Sequence, residues 1–179
     1  MHHFRAPDAR RFTSASLMIG IAFVIFGASF GVLSVSAGAS VAQSCAMSLL
    51  VFTGASQMSA VSVLASGGTV ASAFGGAVLL SGRNAVYGLA MSPVLKQGSL
   101  ASRLLGAQWV IDETTAIVSA ETDPTTRRTA FWISGAILYA SWNIGTLLGA
   151  LVGTSINPSD FGLDAAFPVM FTAMIAPHL

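Results

Sequence analysis

Uncharged positions dominate the first half of the chain. The 71 residues between Arg11 and Arg83 contain no Lys, Arg, Asp, Glu or His. A helix or strand in water needs charge on its solvent-facing positions. In a bilayer the requirement reverses, since a charge at its centre costs about 2.5–3.5 kcal/mol even on the gentler insertion scales. The stretch is long enough for roughly three crossings at ~20 residues each, so the pattern predicts an integral membrane protein.

Six apolar segments follow from the same pattern: Thr13–Ser36, Ala42–Ala65, Val70–Ser92, Ala101–Ser119, Thr129–Gly153, and Asp164 to the end. Each is long enough to cross except the last. Turn chemistry separates them: Gly67-Gly68, Pro93 with Lys96-Gln97-Gly98, Asp123-Pro124, and Asn157-Pro158-Ser159-Asp160. No alternating strand pattern competes, and an open sheet edge cannot sit in lipid. The expected fold is all-α, a polytopic transmembrane helical bundle of about five to six spans. It has room for broken or re-entrant helices. The expected organisation is a single membrane domain over 1–179 with a short tail over 1–12.

Glycines are placed rather than scattered. Gly145, Gly149 and Gly153 recur every four residues, as do Gly27 and Gly31. Such stripes let helix backbones approach closely in lipid. The first is expected to face another helix, within the chain or in a second copy. Gly27-Ala28-Ser29 and Gly54-Ala55-Ser56 echo one another, a weak sign of the internal repeats found in transporters.

Composition agrees. Hydrophobic residues make up 54% and charged residues 8%, with a mean hydropathy of +0.74, against about 25% charged in soluble domains. A net charge of +1 gives no reason to expect nucleic acid. Cys45 is the sole cysteine, which excludes an intrachain disulfide and a cysteine zinc cluster. Neither metal nor cofactor is expected. Gly27-Ala28-Ser29-Phe30-Gly31 fits the serine-hydrolase pattern, but lies inside an uninterrupted apolar run with no histidine near it in sequence. No enzyme is expected.

Charge also bears on orientation. Arg5, Arg10 and Arg11 favour a cytoplasmic N-terminus. Full crossings throughout would put Arg127 and Arg128 inside and Lys96 and Arg103 outside, and one re-entrant early segment would exchange the two pairs. Either way five basic residues lie inside and two outside, so charge alone does not choose.

The exceptions to the apolar pattern mark the candidate site. Arg83 lies about ten residues before Pro93, or ~15 Å along a helix, and Asp112 and Glu113 lie about as deep on the next segment. An unpaired charge at that depth is costly, so Arg83 is expected to meet at least one of the carboxylates. Gln57, Asn84, Tyr87, Trp142 and Asn143 supply polar company, and Asp164 stands at the entry to the last segment. The plain reading is a salt bridge holding two helices together. The sharper one is a solute or ion pathway, because ionisable groups inside a membrane mark such pathways.

Several blocks resemble the AzlC-type branched-chain amino acid permeases. They are Ser48-Leu49-Leu50-Val51-Phe52-Thr53-Gly54-Ala55-Ser56-Gln57, Gly82-Arg83-Asn84-Ala85-Val86-Tyr87-Gly88-Leu89 and Asp112-Glu113. Two more are Tyr139-Ala140-Ser141-Trp142-Asn143-Ile144-Gly145-Thr146 and Gly162-Leu163-Asp164-Ala165-Ala166-Phe167-Pro168. They occur in the family's order and cover the chain from about Phe26 onward. Asn84 stands where the family commonly has a histidine after the arginine, so no titrating role carries over there. Family members also continue well beyond the Pro168 block, and the chain is expected to lack their last helices. The resemblance implies export of leucine, valine and isoleucine across the bacterial inner membrane, together with a small hydrophobic AzlD-type partner subunit. A passive pore for a small polar solute, or a non-transporting subunit of a larger complex, are the alternative classes.

Overall fold

A computed structural model describes residues 6–96 and 98–155 of the chain, and every regular element among them is an α-helix. In order these are α1 (Ala6–Ser36), α2 (Val41–Leu50), α3 (Gly54–Ala65), α4 (Val70–Leu95), α5 (Leu100–Gln108), α6 (Asp112–Ser119) and α7 (Pro124–Gly153). By length and composition α1 and α7 suit a membrane crossing. Helix α4 has 26 residues, about 39 Å at 1.5 Å per residue, but Gly82-Arg83-Asn84 lower the hydropathy of its middle. The final segment, with Asp164 and Pro168, lies outside the described residues.

Local chemistry sets the boundaries. Ser40 and Gln43 form a reciprocal capping box at the start of α2, with bonds of 3.2 and 2.8 Å. Ser99 caps α5 by accepting the Ser102 amide. Asp123 accepts the Thr126 amide at 2.8 Å, and Pro124 fills the first position of α7. Gly38 and Gly67 take positive φ of 95° and 80° in the turns after α1 and α3, a region open to glycine at little cost. The tail expected over 1–12 is helical from Ala6, and Phe12 is buried. Pro93 does not end its helix as expected. The helix runs two residues past it to Leu95, and the bond that its missing N–H forfeits is to the carbonyl four residues back, at Leu89.

The helices form two compact units. The second comprises Val24–Ser81 and the chain from Trp142 onward. Here α1 and α7 run parallel in close contact. A Cβ built on Gly145, Gly149 or Gly153 would collide with α1 backbone at Val24, Ala28 or Val32 respectively, and one on Gly27 or Gly31 would collide with α7 backbone at Trp142 or Thr146. The stripes therefore face each other within one chain, as small-residue seams do in lipid. Between them α2 enters from the Ser36 end: Ser44 bonds Ser34 at 2.8 Å, and Ser48, further along, donates to Asn143. Helix α3 starts beside Trp142 and runs back along α4, with Ser56 bonded to Ser81 and Ser59 beside Gly76. Gln57 ties the two arms by donating to the Met47 carbonyl at 3.1 Å. The segment expected as one crossing is thus a broken pair that returns to the end it came from. The Gly-Ala-Ser echo falls on the middle of α1 and the start of α3, two different settings.

The first unit comprises the chain to Phe23 and Gly82–Ser141. Phe12 of α1, Met91 and Val94 of α4, Val110, Val118 of α6, and Ala130 and Phe131 of α7 form its core. Helix α5 packs along α7, with Gly106 against Phe131 and Trp132, and Trp109 then lies against Gly135. Helix α6 returns, placing Glu121 in an ion pair with Arg11. This too is a hairpin rather than a crossing. The starts of α1, α5 and α7 and the ends of α4 and α6 therefore share one end of the unit. Lys96 and Arg103, expected opposite Arg127 and Arg128, lie at that same end with them and with Arg10 and Arg11; Arg128 donates to the Val94 carbonyl at 3.4 Å.

Polarity is inverted relative to a soluble protein. Leu17, Met18, Ile21, Phe74, Leu79, Leu89, Leu148 and Val152 are exposed, whereas Ser16, Ser34, Ser44, Ser48, Gln57, Thr114, Ser134 and Thr146 are buried. Serine 29, the would-be nucleophile, bonds the Ile25 carbonyl inside α1.

Candidate transport site at a helix break

Residues 109–111 leave the helical path between α5 and α6, so Asp112 and Glu113 form the first turn of α6. The sequence placed them in the middle of an unbroken helix. Their actual position suits them better, since the positive end of the helix dipole favours acidic groups there. Thr114 holds the break open. Its buried hydroxyl accepts the Ile111 N–H at 3.1 Å and donates to the Trp109 carbonyl at 2.7 Å. Sequence reading missed this residue, although a threonine directly after an acidic pair is a usable signal for such a staple.

Substituting Thr114 by Val tests that role. It keeps the shape and removes the hydroxyl, leaving a buried N–H and C=O without their partner. Such orphans cost about 1–3 kcal/mol. A lower unfolding midpoint of the purified protein is expected, and an unchanged one would show that the break holds itself.

Arg83 projects from α4 towards this turn. Its Nη2 donates to Asp112 Oδ2 at 2.9 Å, and both side chains are roughly a third exposed, at 32% and 28%. The Tyr87 hydroxyl, one turn along α4, also reaches Asp112. The expected pairing is formed, and it selects Asp112 over Glu113. Two features remain open. Arg83 Nε is buried without a hydrogen-bond partner among the described residues. Glu113 is half-buried and has no cationic partner among them, the two ion pairs there being Arg11–Glu121 and Arg83–Asp112. Asn84 is half-buried beside Arg83 and joins none of these contacts.

The remaining candidates belong to the second unit. Ser48 donates to Asn143 Oδ1 at 2.8 Å and lies 3.1 Å from Thr146 Oγ1. Trp142 stacks on Phe30, its ring standing beside Gly54. Gln57 is fully buried, and its Oε1 accepts nothing from the described residues. Both groups of candidates thus gather at helix breaks, one in each unit. Asp164 lies outside the described residues.

Comparison with known proteins agrees with the sequence blocks. "Inner membrane protein YgaZ" of Escherichia coli strain K12 is 26% identical over 97% of this chain and 74% of its own length. An "Uncharacterized membrane protein" of Helicobacter pylori is 24% identical over 97% of this chain and 76% of its own. No solved structure matches. The sequence profile described as "AzlC protein" matches residues 18–156. With relatives named as membrane proteins and helices suited to crossing, this is a membrane protein that belongs to the AzlC family.

Proposed function

We propose that this chain is a secondary exporter of branched-chain amino acids in the bacterial inner membrane, acting with a small AzlD-type membrane subunit. The observation that carries the reading is the Arg83–Asp112 pair at a helix break, with Arg83 Nε lacking a hydrogen-bond partner and Glu113 outside the ion pairs among the described residues. An amino acid is a zwitterion and needs both contacts. Arg83 offers its carboxylate a planar donor fork, and Glu113 offers its ammonium an acceptor. Broken helices near the midplane are where secondary transporters hold their solutes. At about nine residues for α5, the break lies ~14 Å deep, close to half of the hydrocarbon core. Asn84 and Tyr87, on the same helix as Arg83, line the solute's route beside the break in this reading, and family membership supports the choice of leucine, valine and isoleucine. The name of the Escherichia coli relative supports the inner membrane.

The orientation follows from charge. Arg10, Arg11, Lys96, Arg103, Arg127 and Arg128 share one end of the first unit, and the positive-inside rule puts that end, with the N-terminus, in the cytoplasm. Single cysteines at Ser99 and Thr122, in a Cys45→Ala background, are both expected to resist an impermeant thiol reagent in intact cells and to react after permeabilisation. Labelling of Ser99→Cys alone in intact cells would restore the layout of full crossings.

The function is tested in cells loaded with a leucine-containing dipeptide. Leucine efflux above an empty control is expected from the chain with its partner. Efflux equal to the control removes the exporter reading, and flux that neither saturates nor shows counterflow in proteoliposomes favours a pore. Efflux from the chain alone would refute the need for a partner.

A further inference from the structure

Four cations gather at one corner of the first unit. Lys96 follows the last turn of α4, Arg103 is the fourth residue of α5, and Arg127 and Arg128 are the fourth and fifth of α7. Gly106 of α5 packs against Leu95 at the end of α4 and against Phe131 and Trp132 of α7. Arg103 stands three positions before Gly106, Arg127 four before Phe131, and Arg128 four before Trp132. Residues so spaced share a helix face, so the three arginines lie one turn nearer the helix starts, where the packed faces meet. Arg128 donates to the Val94 carbonyl and ties the end of α4 to them. None of the four belongs to an ion pair among the described residues, the pairs there being Arg11–Glu121 and Arg83–Asp112. The acid closest to Arg127 in sequence, Asp123, caps α7 by accepting the Thr126 amide and hydroxyl. Arg127 is packed at its root, where Nε is buried without a hydrogen-bond partner.

Cations so placed repel one another unless an anion lies between them, and the surroundings decide which anion fits. Leu100 and Leu104, on either side of Arg103 in α5, are both exposed. In a membrane protein such leucines meet acyl chains, while basic groups near the helix starts sit at the level of the headgroups. A phosphate that carries its own acyl chains matches both halves of this surface. We infer that the corner between α4, α5 and α7 is a binding site for the phosphate headgroup of an anionic phospholipid, with an acyl chain along Leu100 and Leu104. Arg103 and Arg127 offer planar donor forks to the phosphate oxygens, and Lys96 adds a point charge. Arg128 is a positioning residue, since its bond to Val94 holds the end of α4 in place. A zwitterionic lipid fits less well, because its own ammonium meets four like charges. The site is separate from the Arg83–Asp112 pair and does not rest on the exporter reading.

Tryptophan fluorescence reads the site, because Trp132 lies one turn along α7 from Arg128. The full chain in mixed micelles is quenched with brominated phosphatidylglycerol against unbrominated phosphatidylcholine, and with the labels exchanged, to give a relative binding constant. Phosphatidylglycerol is expected to be preferred. Each basic residue at a membrane surface contributes about fivefold to the binding of anionic lipid. Arg103→Gln should therefore lower the preference about fivefold, and Arg103→Gln with Arg127→Gln should abolish it. Arg103 is exposed and outside every ion pair among the described residues, so the single variant decides the matter if the double one fails to fold. Arg10→Gln removes the same charge from the same end of the unit, on a helix that Gly106 does not touch, and should leave most of the preference. No preference for phosphatidylglycerol in the wild type, or one unchanged in Arg103→Gln, overturns the assignment. An equal fall in Arg10→Gln overturns it too, by showing diffuse surface charge in place of a site. Inorganic phosphate in excess should not displace the lipid, and displacement would give the corner to free phosphate instead.

Discussion

Arg83→Ala is expected to reduce leucine efflux to the level of an empty control. Arg83 Nη2 holds Asp112 at 2.9 Å, and removing the arginine leaves two adjacent carboxylates unbalanced at the same turn. Breaking a fully buried pair by deleting one partner costs about 3–5 kcal/mol. This pair is about a third exposed, so the stability loss is smaller, and the transport loss does not need misfolding to explain it. Arg83→Lys should restore little, since one ammonium cannot hold Asp112 and a solute carboxylate with the geometry of a planar fork. The control is Arg83→Ala combined with Asp112→Asn, which removes the charge pair together. If the pair only fastens α4 to α6, this double variant recovers both membrane abundance and efflux. If the arginine contacts the solute, abundance recovers and efflux does not. Initial efflux rates normalised to immunoblotted protein in the membrane fraction separate the two.

Gly149→Leu is expected to prevent accumulation of folded protein. A Cβ at Gly149 already meets the Ala28 carbonyl, and backbone cannot move aside as a side chain can. Overpacking of ordinary cores costs about 1–3 kcal/mol. Here the cost is larger, because α1 and α7 would have to separate along the seam formed by Gly27, Gly31, Gly145 and Gly153 as well. Gly149→Ala should show the same defect in milder form. Gly75→Leu is the matched control, since nothing lies within 4 Å of a Cβ at that exposed position of α4. Fluorescence-detected size exclusion would read all three, and a normal profile for Gly149→Leu would show that the seam is not tight.

The parts of the fold legible in sequence are those governed by composition and short spacing. The charge-free run to Arg83 announced the membrane class. Glycines every four residues announced a helix seam, and the cost of an isolated charge announced the meeting of Arg83 with the acidic pair. What could not be read was where a helix stops inside an apolar segment. Val51-Phe52-Thr53 and Trp109-Val110-Ile111 contain neither glycine nor proline, and no turn signal marks them. Those breaks are held by side-chain bonds to the main chain, Gln57 to the Met47 carbonyl ten residues back and Thr114 locally to Trp109 and Ile111, and of the two only the threonine beside the acidic pair left a signal in the sequence. Missing them turned two returning hairpins into crossings, and that in turn separated Lys96 and Arg103 from Arg127 and Arg128, with which they share one end of the first unit. Pro93 misled in the opposite direction, because its effect depends on how much helix remains after it.

The seam between α1 and α7 also sets a timetable for biosynthesis. Ala28 and Gly149 are partners separated by 121 positions in sequence. At typical ribosomal speeds of about 5–20 residues per second, α1 waits on the order of ten seconds in the bilayer before its counterpart is made. During that interval its glycine face is bare, with lipid tails or the insertion machinery as the available covering. The nascent protein is therefore most open to mispairing with neighbouring membrane helices before the last of its described helices is complete.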